Sequence, residues 1–160
     1  MSIEKFDIIL SLKPKWCLKI LDGVKTVEIR KSFPHVDAEN AVFQVYLYCT
    51  EPNTTDPHRL IEIHNYDNGK IYRANGKVAG VATVTSVEKL ERTGKTYSLP
   101  KTGECCLTED QLAEYGNEKD LYGWHISSVQ LFEIPKPLSE FGLTRPPQSW
   151  CYIKTKNLEE

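Results

Sequence analysis

The segment VFQVYLYCT, residues 42–50, constrains the fold most. Aromatic and β-branched side chains dominate it, which makes it a strong β run. Runs of this kind recur along the chain. FDIILSL (6–12) predicts a buried first strand, and RLIEIHNY (59–66) another. KVAGVATVTSVE (77–88) alternates well enough for a long strand, LYGWHISSVQLFEI (121–134) follows, and SWCYIK (149–154) closes the set. Asn68-Gly69 and Asn75-Gly76 accept positive φ and predict two tight turns. Gly80 inside the long strand predicts a bulge or a close backbone approach. The run PKP at 135–137 is expected to stop ladder pairing, because proline has no N–H to give.

Helix is confined to two short stretches. In KPKWCLKILDG, Pro14 suits a first helical position and Ser11 lies upstream as a cap. Cys17, Ile20, Leu21 and Val24 follow i, i+3, i+4, i+7 and predict one apolar face, with Gly23 as the stop. In LTEDQLAEYG, Thr108 is the expected N-cap, Gln111 completes a capping box and Gly116 ends the helix. PNTTDP and residues 90–107 are irregular. Six or seven strands with two short helices predict an α+β, mainly β fold, a small barrel with helices closing its ends. A length of 160 residues predicts one domain, 1–160.

Bulk properties narrow the function. The sequence has no apolar run of 18 residues and no basic stretch followed by an apolar one, so no membrane partner is expected and a cytoplasmic location is the default. Five cysteines without a C-x-x-C predict reduced thiols. A zinc site drawn from Cys49, Cys105 and Cys151 with His58, His64 or His125 finds no support in the spacing, so no metal and no cofactor is expected. The net charge of −2 does not suit long-duplex binding. Its distribution is uneven: residues 1–31 carry seven basic and four acidic residues, and 101–133 carry two basic and seven acidic. One basic face on an acidic protein can still hold a phosphate locally.

The segment GVKTVEIRK packs charge onto a strand. Side chains alternate, so Val27 and Ile29 face the core while Thr26, Glu28 and Arg30 face away. Two readings stand. One is a solvated face with a Glu–Arg pair, contributing under ~1 kcal/mol. The other is a cleft lined by Lys25, Glu28 and Arg30, with Lys13 and Trp16 arriving from the helix start and Lys31 beside them. That cleft offers cations for phosphate, an aromatic face for a base and a carboxylate for an amino edge. Trp124 and Trp150 are alternative stacking platforms, worth ~1–3 kcal/mol per base where stacking occurs, or core residues. His125 is a candidate acid or base. Tyr48, Cys49 and Thr50 end a strong strand, a usual place for cleft residues. In RPPQSW, Arg145 suits a phosphate and Gln148 or Ser149 a base edge.

The segment ILSLKPKWCLKILDGVKTVEIRKSFP resembles the signature of the ASCH family, a branch of the PUA-like superfamily. The pattern is a strand, K-P, a short helix ending in G-x-K, then T-x-E-x-R. The segments VYLYCTEP, KVAGVATV, ECCLTEDQLAEYG, LYGWHI and RPPQSWCYI follow in the order of the longer bacterial and phage members. Only IEIHNYDNGKIYRANG stands outside the resemblance. It implies a PUA-like small mixed β-barrel with two or three short helices, and RNA or a modified nucleoside or nucleotide held in a cleft between barrel and helices. Some members are assigned ribonuclease activity. One bacterial branch is an acetylcytidine amidohydrolase that uses a lysine, a threonine and a glutamate. The lysine matches Lys25; the threonine falls on Glu28; Glu109 and Glu114 are candidates for the glutamate. Lys25 and Glu28 are thus the expected working pair of an enzyme. A carboxylate in place of the hydroxyl suits hydrogen bonding to an amino group or activation of water. Thr26 lies roughly 6–7 Å away along the strand.

Overall fold

A computed structural model of the chain describes residues 6–35, 42–52 and 60–154. It contains strands β1 (Phe6–Leu12), β2 (Val27–Arg30), β3 (Phe43–Cys49), β4 (Glu62–His64), β5 (Ile71–Arg73), β6 (Lys77–Lys89), β7 (Arg92–Thr93), β8 (Thr96–Tyr97), β9 (Tyr122–Lys136) and β10 (Trp150–Lys154). Helix α1 is Pro14–Leu21, helix α2 is Glu109–Gly116, and a 3-10 turn covers Leu138–Phe141. Six strands form one curled sheet in the order β10-β1-β3-β6-β9-β2, and two two-stranded ribbons, β4-β5 and β7-β8, stand beside it. Only β1 and β3 run parallel within the large sheet. The result is the expected mainly β, open-barrel architecture.

The apolar runs are explained by strands buried on both faces. From β1 and β3, Ile8, Leu10, Leu12, Val45 and Leu47 enter the main core with α1's Cys17 and Ile20. The intervening Ile9, Tyr46 and Tyr48 enter a second core on the other side, with Val78, Phe141 and Ile153. A third core gathers Val27 and Ile29 with Leu90, Tyr97, Leu112 and Leu121, beneath α2. Glu28 lies opposite Trp124 in the ladder, and Trp124 belongs to the main core. The face of β2 that carries Glu28 and Arg30 therefore turns toward the barrel interior.

Several local expectations change in the fold. The N-cap of α1 is Lys13, without a side-chain cap, and Ser11 instead belongs to β1 and donates to the Pro147 carbonyl at 2.7 Å. Val24 lies past the helix end and is 54% exposed, so the apolar face stops at Leu21. The charged strand within GVKTVEIRK is four residues, Val27–Arg30. The run 59–66 yields a strand of only three residues, while the Asn-Gly turns place Gly69 and Gly76 at φ 71° and 78°. Strand β9 runs on through Pro135. Lys136 still pairs with Val78, because the register jumps to Leu131 opposite Gly80 and leaves Pro135 in a bulge where no ladder N–H is required.

Gly80 is the close approach that the sequence predicts. A Cβ built there meets the Gln130 carbonyl oxygen at 2.5 Å and Leu21 Cδ2 at 3.2 Å. Backbone cannot yield as a flexible side chain does, so Gly80→Ala is expected to destabilise the protein by roughly 1–3 kcal/mol. Thermal unfolding checks this, with Ser86→Ala on the exposed part of the same strand expected to shift stability by less than ~0.5 kcal/mol.

Candidate functional site

Helix α1 ends in a turn that aims a lysine inward. Gly23 takes φ 76°, and the amides of Val24 and Lys25 both donate to the Lys19 carbonyl at 3.0 Å. The chain reverses there, and Lys25 enters the protein with 2% of its surface exposed. Its ammonium donates to the Cys105 carbonyl and lies 4.9 Å from the centre of the Trp16 ring. A desolvated cation against an indole face and a carbonyl is held electrostatically from two sides. Lys15 also reaches the Trp16 ring, at 4.7 Å.

Two residues on, Glu28 is 6% exposed. Its Oε1 accepts from Arg30 Nε at 3.3 Å, while Oε2 is shielded from solvent and has no hydrogen-bond partner. The Arg30 guanidinium spreads further, donating to Ser149 Oγ and to the Ser11 carbonyl, each at 3.1 Å. These contacts cross from β2, one edge of the sheet, to β1 and the residue just before β10 at the other edge. Trp150 Nε1 donates to Ser32 Oγ at 3.1 Å and Trp124 Nε1 to the Ser32 carbonyl at 3.3 Å, which reinforces the same seam.

The facing wall comes from a distant segment. The loop before α2 is tied to β2: Thr26 and Val27 amides donate to the Glu104 carbonyl at 2.9 and 3.1 Å, and the Glu104 amide donates to Thr26 Oγ1 at 2.9 Å. The capping box then starts α2, with Gln111 N donating to Thr108 Oγ1 at 3.1 Å and Thr108 N to Gln111 Oε1 at 2.8 Å. Between these walls lies a cavity of about 440 Å³ lined by Ser11, Lys13, Trp16, Lys25, Glu28, Ile29, Arg30, Thr50, Leu107, Gln111, Tyr115 and Gln148. Three cations and one carboxylate surround it. Burial pushes the Tyr115 hydroxyl above the ordinary tyrosine pKa; Arg30 opposes the shift and Glu28 adds to it.

The structure gathers Lys13, Trp16, Lys25, Glu28, Arg30 and Gln148 at this cavity. Other predicted site residues lie elsewhere. The Thr26 hydroxyl accepts from the Glu104 amide, and Thr26 is not among the residues lining the cavity. Lys31 stands 4.8 Å from the Tyr115 ring, outside the lining. Tyr48 packs in the second core, and Trp124 is fully buried in the main one. His125 pairs with Glu88 at 2.8 Å, on the strand next to β2. Arg145 and both acidic candidates of α2, Glu109 and Glu114, are exposed and off the lining. No described residue of the β4–β5 insert reaches the cavity. Among the described residues no three His, Cys, Asp or Glu side chains gather to hold a metal; His58 lies outside them. All five cysteines are free thiols. A hydrogen bond with Cys49, followed by burial, raises the Cys17 thiol pKa well above its ordinary value, which marks the pair as core.

Sequence reasoning missed Leu107, Gln111 and Tyr115. The signal for the last two was there: they sit four residues apart on an exposed helical face, where an aromatic has no packing reason to be.

No family model matches the chain, and no curated protein matches it. The architecture is nevertheless that of the ASCH fold. The crystal structure of ASCH from Zymomonas mobilis superimposes with a TM-score of 0.57 at 18% identity, over 92% of this chain and 87% of that one. A serine-to-alanine variant of the same protein gives 0.62 at 18% identity, covering 96% and 92% of the two chains. A tyrosine-to-phenylalanine variant gives 0.60 at 18%, covering 92% and 90%. The likeness spans more than nine-tenths of this chain, and at this identity it is a likeness of fold.

The seam makes Arg30 a residue of both fold and site. Arg30→Ala is expected to cost roughly 3 kcal/mol, since it opens the seam and leaves the Glu28 carboxylate buried without its counter-ion. Arg30→Lys recovers only part of this, having the charge but not the planar fork. Urea unfolding of both variants checks this, and Glu28→Gln combined with Arg30→Ala is expected to cost less than the two changes summed.

Proposed function

We propose that this protein is an RNA- or nucleotide-binding ASCH-fold protein whose ligand sits in the cavity between the barrel and α2. The observation that carries the reading is the wall formed by Lys25 against Trp16, with Lys13 at the rim. It sets fixed positive charge and an indole next to one another in a concave, partly buried site. Phosphate and a planar base need that combination. The volume of about 440 Å³ suits one nucleotide, not a duplex. The overall charge of −2 agrees with a local contact to one or a few phosphates.

A second reading, a hydrolase acting on RNA or on a modified nucleoside, has one observation in its favour. The Glu28 carboxylate has an oxygen without a partner on the same cavity wall as the buried Lys25 ammonium. A carboxylate can take a proton from water, and an ammonium can stabilise the charge that develops on the attacked group.

Fluorescence anisotropy with a labelled short single-stranded RNA tests the binding reading. Affinity is expected at low salt and to fall with salt on a shallow slope, about −0.7 per phosphate engaged. Lys13→Ala and Lys25→Met, which keeps the buried stem, are each expected to weaken binding about tenfold with the fold retained by circular dichroism. Absence of binding at low salt refutes it. Incubation with RNA and with an acetylated cytidine tests the second reading; it requires product that disappears in Lys25→Met and Glu28→Gln.

A further inference from the structure

Glu28 is the least satisfied polar group on the cavity wall. It is 94% buried, its Oε1 is taken by Arg30 at a long 3.3 Å, and its Oε2 has no partner. An ionised carboxylate can only accept hydrogen bonds, and a buried acceptor left empty is costly. The other charged groups of the wall are donors. Lys25 uses one N–H on the Cys105 carbonyl, which leaves two for a ligand. Among the charged groups of the wall Glu28 is thus the one acceptor. Oε2 is shielded from solvent as it stands, but the last torsion of a glutamate is broad and the Arg30 contact is loose. Glu28 lines the cavity, and contact with a ligand requires its carboxylate to turn so that Oε2 faces that space.

We propose, on the basis of the nucleotide reading above, that Glu28 sets the base preference of the cleft: it accepts the amino edge of cytosine or adenine and disfavours the keto edge of uracil or hypoxanthine. Cytosine carries an amino donor beside the ring acceptor N3, and adenine an amino donor beside N1. Each pair complements a carboxylate and an ammonium that line the same cavity. Uracil and hypoxanthine carry the reverse, a keto oxygen beside a ring N–H. Placed in the same way they set oxygen against carboxylate and N–H against ammonium. They can meet the wall only by turning over or, for uracil, by shifting one position along the base edge, and either change moves the sugar and phosphate away from the place the amino base gives them. A site built around a buried polar group discriminates strongly against the analogue that leaves it unpaired.

The test is calorimetric titration with two pairs of nucleotides, CMP against UMP and AMP against IMP, which differ within each pair at this edge. The amino member is expected to bind at least about tenfold tighter in any pair that binds. Glu28→Gln, whose amide offers both a donor and an acceptor, is expected to bring the ratio within about threefold while CMP or AMP still binds. Equal affinity within the pairs, or a ratio unchanged in Glu28→Gln, overturns the inference and leaves the nucleotide reading standing. If none of the four nucleotides binds and single-stranded RNA does not bind either, the nucleotide reading falls and takes the inference with it.

Discussion

The guanidinium of Arg30 is the contact on which the rest depends. The large sheet has two edges, β2 and β10, and the ladder order contains no pairing between them. Side chains close the gap. Arg30 reaches Glu28 on its own strand, the Ser11 carbonyl on β1 and Ser149 just before β10. A planar fork of donors can hold three acceptors in different directions; an ammonium on a flexible stem cannot do so with the same geometry. Ser32 and the two tryptophans, whose rings meet edge to face at 6.1 Å, complete the seam. The cavity opens directly over this closure, so the site exists because the barrel is stitched there.

Charge inside the seam follows from burial on both sides of β2. Val27 and Ile29 fill the core under α2, and their neighbours must therefore point into the barrel. Residues that look like a solvated strand face become an interior one. Glu28 and Lys25 are then taken out of water, where a charge is tolerated only with partners. Lys25 finds Trp16 and a carbonyl; Glu28 finds Arg30 on one oxygen and nothing on the other. This inequality of satisfaction is what gives the cavity its chemical direction.

Much of the chain was legible from local rules. Pro14 opens α1 and Gly23 closes it, Thr108 and Gln111 form their capping box, and Gly80 is pressed against a neighbouring backbone, as short-range reasoning expects. Failures came where distant chain supplies the answer. Pro135 does not end its strand, because the register of β6 opposite it supplies a bulge. Trp124 and Trp16 look alike as stacking candidates. One is enclosed by Phe43 and Trp150, and the other lines the cavity, and only the packing separates them.

The sequence by itself determined the main strands and both helices, and it offered Lys13, Lys25, Glu28 and Arg30 among a wider set of charged candidates. Periodicity, proline and glycine act within a few residues, so their consequences can be read in one dimension. The second wall was decided by tertiary structure alone. Lys25 is anchored by a carbonyl 80 residues later in the chain, and Gln111 and Tyr115 face it from a helix tied down through the Glu104 loop. The burial of Glu28 was decided in the same way. A strand shows which residues share a face, but whether that face meets water or a barrel interior depends on what the rest of the chain packs against it.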